Sequence, residues 1–318
     1  MSPDKHLFNI VVAALVTNSV ALVLRLWIRV AMQKSFGFDD AALCFSFVGY
    51  VLFASFTFVA LHYGYGVSPA QPWFNSQEAQ HYWFACLVAY TLTAGIIKIS
   101  IALVLLRINV RRSIKVILIV LMVLATVIVL VLFLLLVLQC RPLSLSWGVG
   151  EGQCFDWRTI VHTSYAFSIC DIIFQWLLSL LPIPMLWNVQ ISPREKISIS
   201  VLLGLGMISS IATLVRFKYI PDVPNSHESD PASESVRNAL LAVMWSHVEL
   251  FLAMLATSLV ACRPALKRAV AMVSEGTLKP YLRGFNRLED SRELSNIRPQ
   301  DHRVKTSGVG PTLYTQQH

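Results

Sequence analysis

The chain has 318 residues, of which 55% are apolar and only 14% charged, and its mean hydropathy is +0.61. A water-soluble domain carries about a quarter charged residues, so this surplus of Leu, Val and Ile exceeds what a globular core absorbs and must face lipid. The formal charge of +8 does not indicate nucleic acid, because the cations sit at the edges of apolar segments and in the tail, where membrane proteins place them.

Seven stretches are long and apolar enough to supply the roughly 20 helical residues that cross about 30 Å of hydrocarbon. They are 7–30, 41–61, 82–106, 116–138, 160–187, 197–220 and 239–261. The first carries Asn18, Arg25 and Arg29 on one stripe, and both arginines are expected to snorkel to the inner surface. It is too long for a signal peptide's apolar core and is followed by cations, so it reads as a retained anchor. The third presents Thr91, Gly95 and Lys98, and the fourth has no charged residue at all. On the fifth, Ser164, Ser168, Asp171, Gln175 and Ser179 recur at three- and four-residue steps, which makes one polar stripe. The sixth offers Gly206, Ser209, Thr213 and Arg216, with Arg216 expected near the outer mouth. The seventh aligns Ala242, Ser246, Glu249, Ala253 and Ala256, while His247 falls on another face and reads as structural. Short loops make sequential helices antiparallel neighbours.

The fold class expected is therefore an all-α membrane protein, a seven-transmembrane helix bundle. Loops one, three and five carry Arg29 and Lys34, then Arg107, Arg111, Arg112 and Lys115, then Arg194 and Lys196. The positive-inside rule places these loops and the tail in the cytoplasm and the N-terminus outside. The chain divides into a membrane domain over 7–262 and a basic cytoplasmic tail over 263–318, polar and largely disordered. Within the tail, 264–273 alternates cations with apolar residues, as either a short helix on the inner leaflet or the frayed end of helix seven. The membrane is either the plasma membrane or an endomembrane.

Of six cysteines, Cys44, Cys86 and Cys170 fall within spans and Cys262 at the end of the seventh. Cys140 and Cys154 share the second outer loop, on the oxidising side, where a disulfide between them is expected. The rival pairing joins Cys154 to Cys86. His and Cys are scattered without C-x-x-C or H-E-x-x-H spacing, so no metal site is expected.

A charge inside the bilayer costs several kcal/mol unless paired or wet, so each is a functional candidate. Lys98 lies roughly 13 Å from the inner end of its helix, at 1.5 Å per residue. Asp171 and Glu249 fall near the same depth. With Gln175 and Arg216, these residues are expected to line a polar pocket among inward-facing stripes. Asp171 and Glu249 are the candidate catalytic acids if the pocket does chemistry. The plainer reading is that Lys98 pairs with one carboxylate to hold the bundle together.

Several motifs in order carry a family resemblance. Gly37-Phe38-Asp39-Asp40 follows an arginine of helix one, Lys98-Ile99-Ser100-Ile101 leads to Arg107, and Cys140-Arg141-Pro142 precedes Trp147 and Gly152-Gln153-Cys154. Asp171 is followed by Pro182-Ile183-Pro184-Met185-Leu186-Trp187, Gly204 to Gly206 by Arg216, and Glu249 by Arg263-Pro264. Together these resemble the fungal rhodopsin-domain membrane proteins across nearly the whole span from helix one to helix seven. The chain departs from the family where Val67 and Ser68 follow Gly64-Tyr65-Gly66, and where Leu105-Leu106 precede Arg107. The resemblance implies a receptor-like sensor, or a compact accessory protein of a secondary-metabolite pathway such as the satratoxin-cluster membrane protein family. Its partners would be the lipid bilayer, a lipophilic small molecule and a cytoplasmic signalling partner at loop three and the tail. A membrane-embedded enzyme cyclising or isomerising a lipophilic intermediate is the alternative. A transporter ranks lower, with no inverted repeat visible. No cofactor is expected: a retinal Schiff base needs a lysine in helix seven, and the mid-membrane lysine is Lys98 on helix three.

Overall fold

Lipid offers a backbone no water to bond, so each long apolar run closes its own hydrogen bonds as a helix. The computed structural model describes residues 3–65, 74–108, 112–181, 183, 193–219 and 237–259. Helix α1 spans Pro3–Trp27 and runs on through one π turn, Ile28–Met32. It is followed by α2 (Phe38–His62), α3 (Ser76–Ile108), α4 (Arg112–Leu138), α5 (Trp157–Leu180), α6 (Pro193–Lys218) and α7 (Arg237–Leu259). Between α4 and α5 lies a small hairpin of β1 (Cys140–Arg141) and β2 (Gln153–Cys154), antiparallel, enclosing a 3-10 turn at Leu143–Trp147.

Among the described residues, six helices are long and apolar enough to cross a membrane: α1 to α5 and α7. The seventh expected crossing, α6, is not among the six. Its sequence interleaves Gly204, Gly206, Ser209, Ser210, Thr213 and Arg216 with the apolar residues. On α4, Val116, Val120, Val123, Val127, Leu130 and Val131 form a continuous exposed apolar band, and Val16, Val20 and Val23 do the same on α1. A monomer in water does not carry such faces. They belong against lipid.

Two apolar clusters make up most of the interior. Tyr50, Phe53, Cys86, Tyr90, Ile97 and Leu250 join α2, α3 and α7, while Leu105, Leu118, Leu121, Phe174 and Leu178 join α3, α4 and α5. Close approach is set by small residues: a Cβ at Gly206 would overlap the Ser179 hydroxyl, so α6 meets α5 there almost backbone to side chain.

Helix boundaries differ from the sequence expectation where polar groups cap them. The third helix starts at Ser76 rather than at 82, because Asn75 Oδ1 accepts the Glu78 backbone N–H at 3.3 Å and caps a polar first turn that hydropathy does not register. The second starts at Phe38, which draws Asp39 and Asp40 into its first turn, where the Asp40 carboxylate accepts the Gly37 N–H at 3.1 Å. The expected run of the fifth helix to 187, loop three at 109–111 and the tail lie outside the described residues, apart from Ile183 and the terminal turns already given. Cys140 and Cys154 are bonded, closing the loop between α4 and α5. The Cys86 pairing is thereby overturned: Cys86 is buried, with its Sγ 3.3 Å from Thr57 Oγ1.

Two buried ionic layers and the chamber between them

Nearest the middle of the bundle, α3, α5, α6 and α7 each contribute polar side chains to one layer. Lys98 Nζ lies 2.6 Å from Asp171 Oδ1 and gives a longer bond, 3.5 Å, to the Ala94 carbonyl one turn back. Asp171 Oδ2 is buried and meets no hydrogen-bond donor among the described residues. Glu249 Oε2 in turn accepts the Tyr90 hydroxyl at 3.1 Å. Arg216, in the last turn of α6, is buried, donating to Tyr90 Oη, to Ser168 Oγ at 3.4 Å and to Ser246 Oγ at 3.5 Å. Its guanidinium sits 4.9 Å from the Tyr90 ring centroid and 4.0 Å from Glu249. The polar stripe of α6 carries it inward, because lipid on the other side leaves a cation no water. Gln175 Nε2 donates to Ser209 Oγ at 2.5 Å, and that hydroxyl donates to the Glu249 carbonyl at 3.3 Å.

Lys98, Asp171, Gln175, Arg216 and Glu249 thus meet in one layer, but not as a single cluster of equals. Lys98 belongs to Asp171, and Arg216 with Tyr90 belongs to Glu249. Tyr90 escaped notice because a tyrosine in an apolar helix is ordinary, and only its contact with two charged groups distinguishes it. His247 stands apart, stacked 3.9 Å over Phe53 with Nε2 at 3.2 Å from Thr57 Oγ1.

A second layer lies where α1, α2, α3 and α7 converge. Arg25 is fully buried, with Nε 2.8 Å from Asp40 Oδ1, Nη2 2.9 Å from Asp39 Oδ2 and Nη1 donating to the Thr257 carbonyl at 2.5 Å. Arg29 Nη2 reaches Asp39 Oδ2 at 3.3 Å, and Arg107 Nη1 reaches Asp39 Oδ1 at 2.9 Å. Ser100 Oγ donates to the Asp39 carbonyl at 3.1 Å. Snorkelling of Arg25 and Arg29 is therefore corrected: two carboxylates in the first turn of α2 hold them inside. Gly37 leaves room here: a Cβ would come within 2.8 Å of Arg107 Nη1, which would have to shift. The signal was present in the sequence, as two arginines four apart followed across one short loop by two aspartates.

Between the layers α3, α5, α6 and α7 leave a chamber of about 60 Å³. Its wall is mostly apolar, from Ile101, Val104, Leu105, Leu178, Ala253 and Ala256, with Gly206 and Ser179 at the α5–α6 contact. Lys98 and Gln175 face it from one layer, and Thr257, whose carbonyl holds Arg25, lines it toward the other. Asp171, Arg216 and Glu249 are not on its wall. Among the described residues, no group of three or more His, Cys, Asp or Glu is arranged to hold a metal ion.

Apolar helices turned outward and ion pairs turned inward define a multi-pass integral membrane protein in contact with the lipid bilayer. The fungal rhodopsin domain family matches residues 24–268, which is most of the chain, and the protein belongs to that family. No curated protein and no solved structure matches the chain. The residues do not fit a retinal Schiff base. Helix α7 contains no lysine, and Lys98 on α3 is committed to Asp171 at 2.6 Å.

Proposed function

We propose that this membrane protein is a receptor-like binder of a small lipophilic molecule, whose end group enters the chamber between α3, α5, α6 and α7, and not a catalyst acting on it. One observation carries the reading: among the described residues, the ionisable side chain on the chamber wall is Lys98, whereas Asp171 and Glu249 are engaged in ion pairs away from it. An acid that protonates an olefin, epoxide or carbonyl must reach the reacting atom. The chamber instead offers an apolar wall with a few polar groups, the usual composition of a ligand pocket.

The test is to incubate the purified protein in lipid nanodiscs with a panel of lipophilic acids, alcohols and ketones, then identify what is retained by mass spectrometry. A compound should be retained saturably and recovered unchanged. Ala256→Leu, which fills the chamber with apolar volume, should abolish retention while leaving the thermal midpoint within a few degrees. Recovery of an isomer, with its formation lost in Asp171→Asn or Glu249→Gln, would install the enzyme reading instead.

The topology belongs to the same proposal. A seven-crossing bundle with N-terminus outside and a cytoplasmic tail from 263 is supported by the cation distribution, and by the 26 residues of α6, enough to span with some tilt. Occupancy would be reported through loop three and the tail, and a place beside a secondary-metabolite pathway rests on the family resemblance alone.

A further inference from the structure

The charges around the chamber say more about its occupant. Resting on the binding reading above, we infer that the ligand is a lipophilic organic acid, bound as its carboxylate against Lys98. An ammonium has three N–H donors. Asp171 Oδ1 takes one at 2.6 Å, the Ala94 carbonyl takes another weakly at 3.5 Å, and Lys98 makes no third hydrogen bond among the described residues. The remaining donor belongs to a side chain that lines the chamber.

The balance of charge points the same way. Asp171 Oδ2 is buried without a hydrogen-bond donor among the described residues. The layer of Lys98 and Arg216 is matched by Asp171 and Glu249. The other layer sets Arg25, Arg29 and Arg107 against Asp39 and Asp40, with one cation in excess. An apolar chamber with the Lys98 ammonium on its wall, beside one balanced layer and one with a cation in excess, favours a guest that brings a negative head and an apolar body. Gln175 Nε2 is already given to Ser209, so it does not compete for that head.

The experiment uses the full chain in phosphatidylcholine nanodiscs, with radiolabelled decanoic acid and decanol as probes and protein-free discs as the partition control. Decanoate should bind saturably and about tenfold or more tighter than decanol, the value of one charge-assisted hydrogen bond. Lys98→Met alone strands the Asp171 carboxylate, so the measurement is repeated in Lys98→Met/Asp171→Asn, which removes a cation and its partner together. In that variant decanoate should fall to the affinity of decanol. Decanol binding as tightly as decanoate overturns the assignment of an acid and leaves the lipophilic pocket standing. Saturable binding of neither probe overturns both. Undiminished decanoate binding in the double variant removes Lys98 from the site.

Discussion

Arg25 shows how one side chain can hold four helices. Its guanidinium spends its donors on Asp39, Asp40 and the Thr257 carbonyl, so α1, α2 and α7 meet at one planar group, and Asp39 passes the contact to Arg107 on α3. A fork of fixed donors suits this, and a lysine cannot copy it. Removing one partner of a buried ionic set leaves the others uncompensated, which costs about 3–5 kcal/mol. Arg25→Met should therefore lower the thermal midpoint in nanodiscs clearly, and Asp40→Asn in that background should restore part of the loss. An unchanged midpoint in Arg25→Met would mean the cluster does not hold the bundle. The site was legible in part at this scale. Lys98, Asp171 and Glu249 stand out because charges in apolar runs are rare and costly, whereas hydropathy gives a residue's depth and not the direction it faces. That is why Arg25 was assigned to a surface and found inside.

At the scale of elements, apolar length identified α1 to α5 and α7, since lipid leaves the backbone no alternative to a helix. Boundaries were harder to read, because caps such as Asn75 and the Asp40 turn are polar and lie beyond the hydropathy window. Helix α6 is the informative case. Its inward stripe of Gly206, Ser209, Thr213 and Arg216 lowers its apolarity, yet that stripe is what brings it against α5 and α7. A helix sheltered by neighbours needs less apolar surface than one bathed in lipid. In a background with Cys44, Cys86, Cys170 and Cys262 replaced by alanine, Arg194→Cys and Lys218→Cys should label with an impermeant maleimide from opposite sides of sealed vesicles. Labelling from the same side would show that α6 does not cross.

Over the whole molecule, the two ionic layers act as floors with an apolar room between them, and α3 and α7 pass through both. Thr257 sits where the room meets one floor: it lines the chamber, and its carbonyl receives Arg25 Nη1 at 2.5 Å. A guest that nudges the last turns of α7 therefore pulls on the same bond that anchors α1. Linkage runs in both directions. Arg25→Lys touches nothing in the chamber, yet it should weaken decanoate by about fivefold or more, the lower range of such couplings. Identical affinities in the two proteins would disconnect the room from its floor. Where the coupling holds, the last turns of α7 work as a lever with one arm in the guest and the other in the anchor of the first helix, and the message leaves through whatever rests on that anchor.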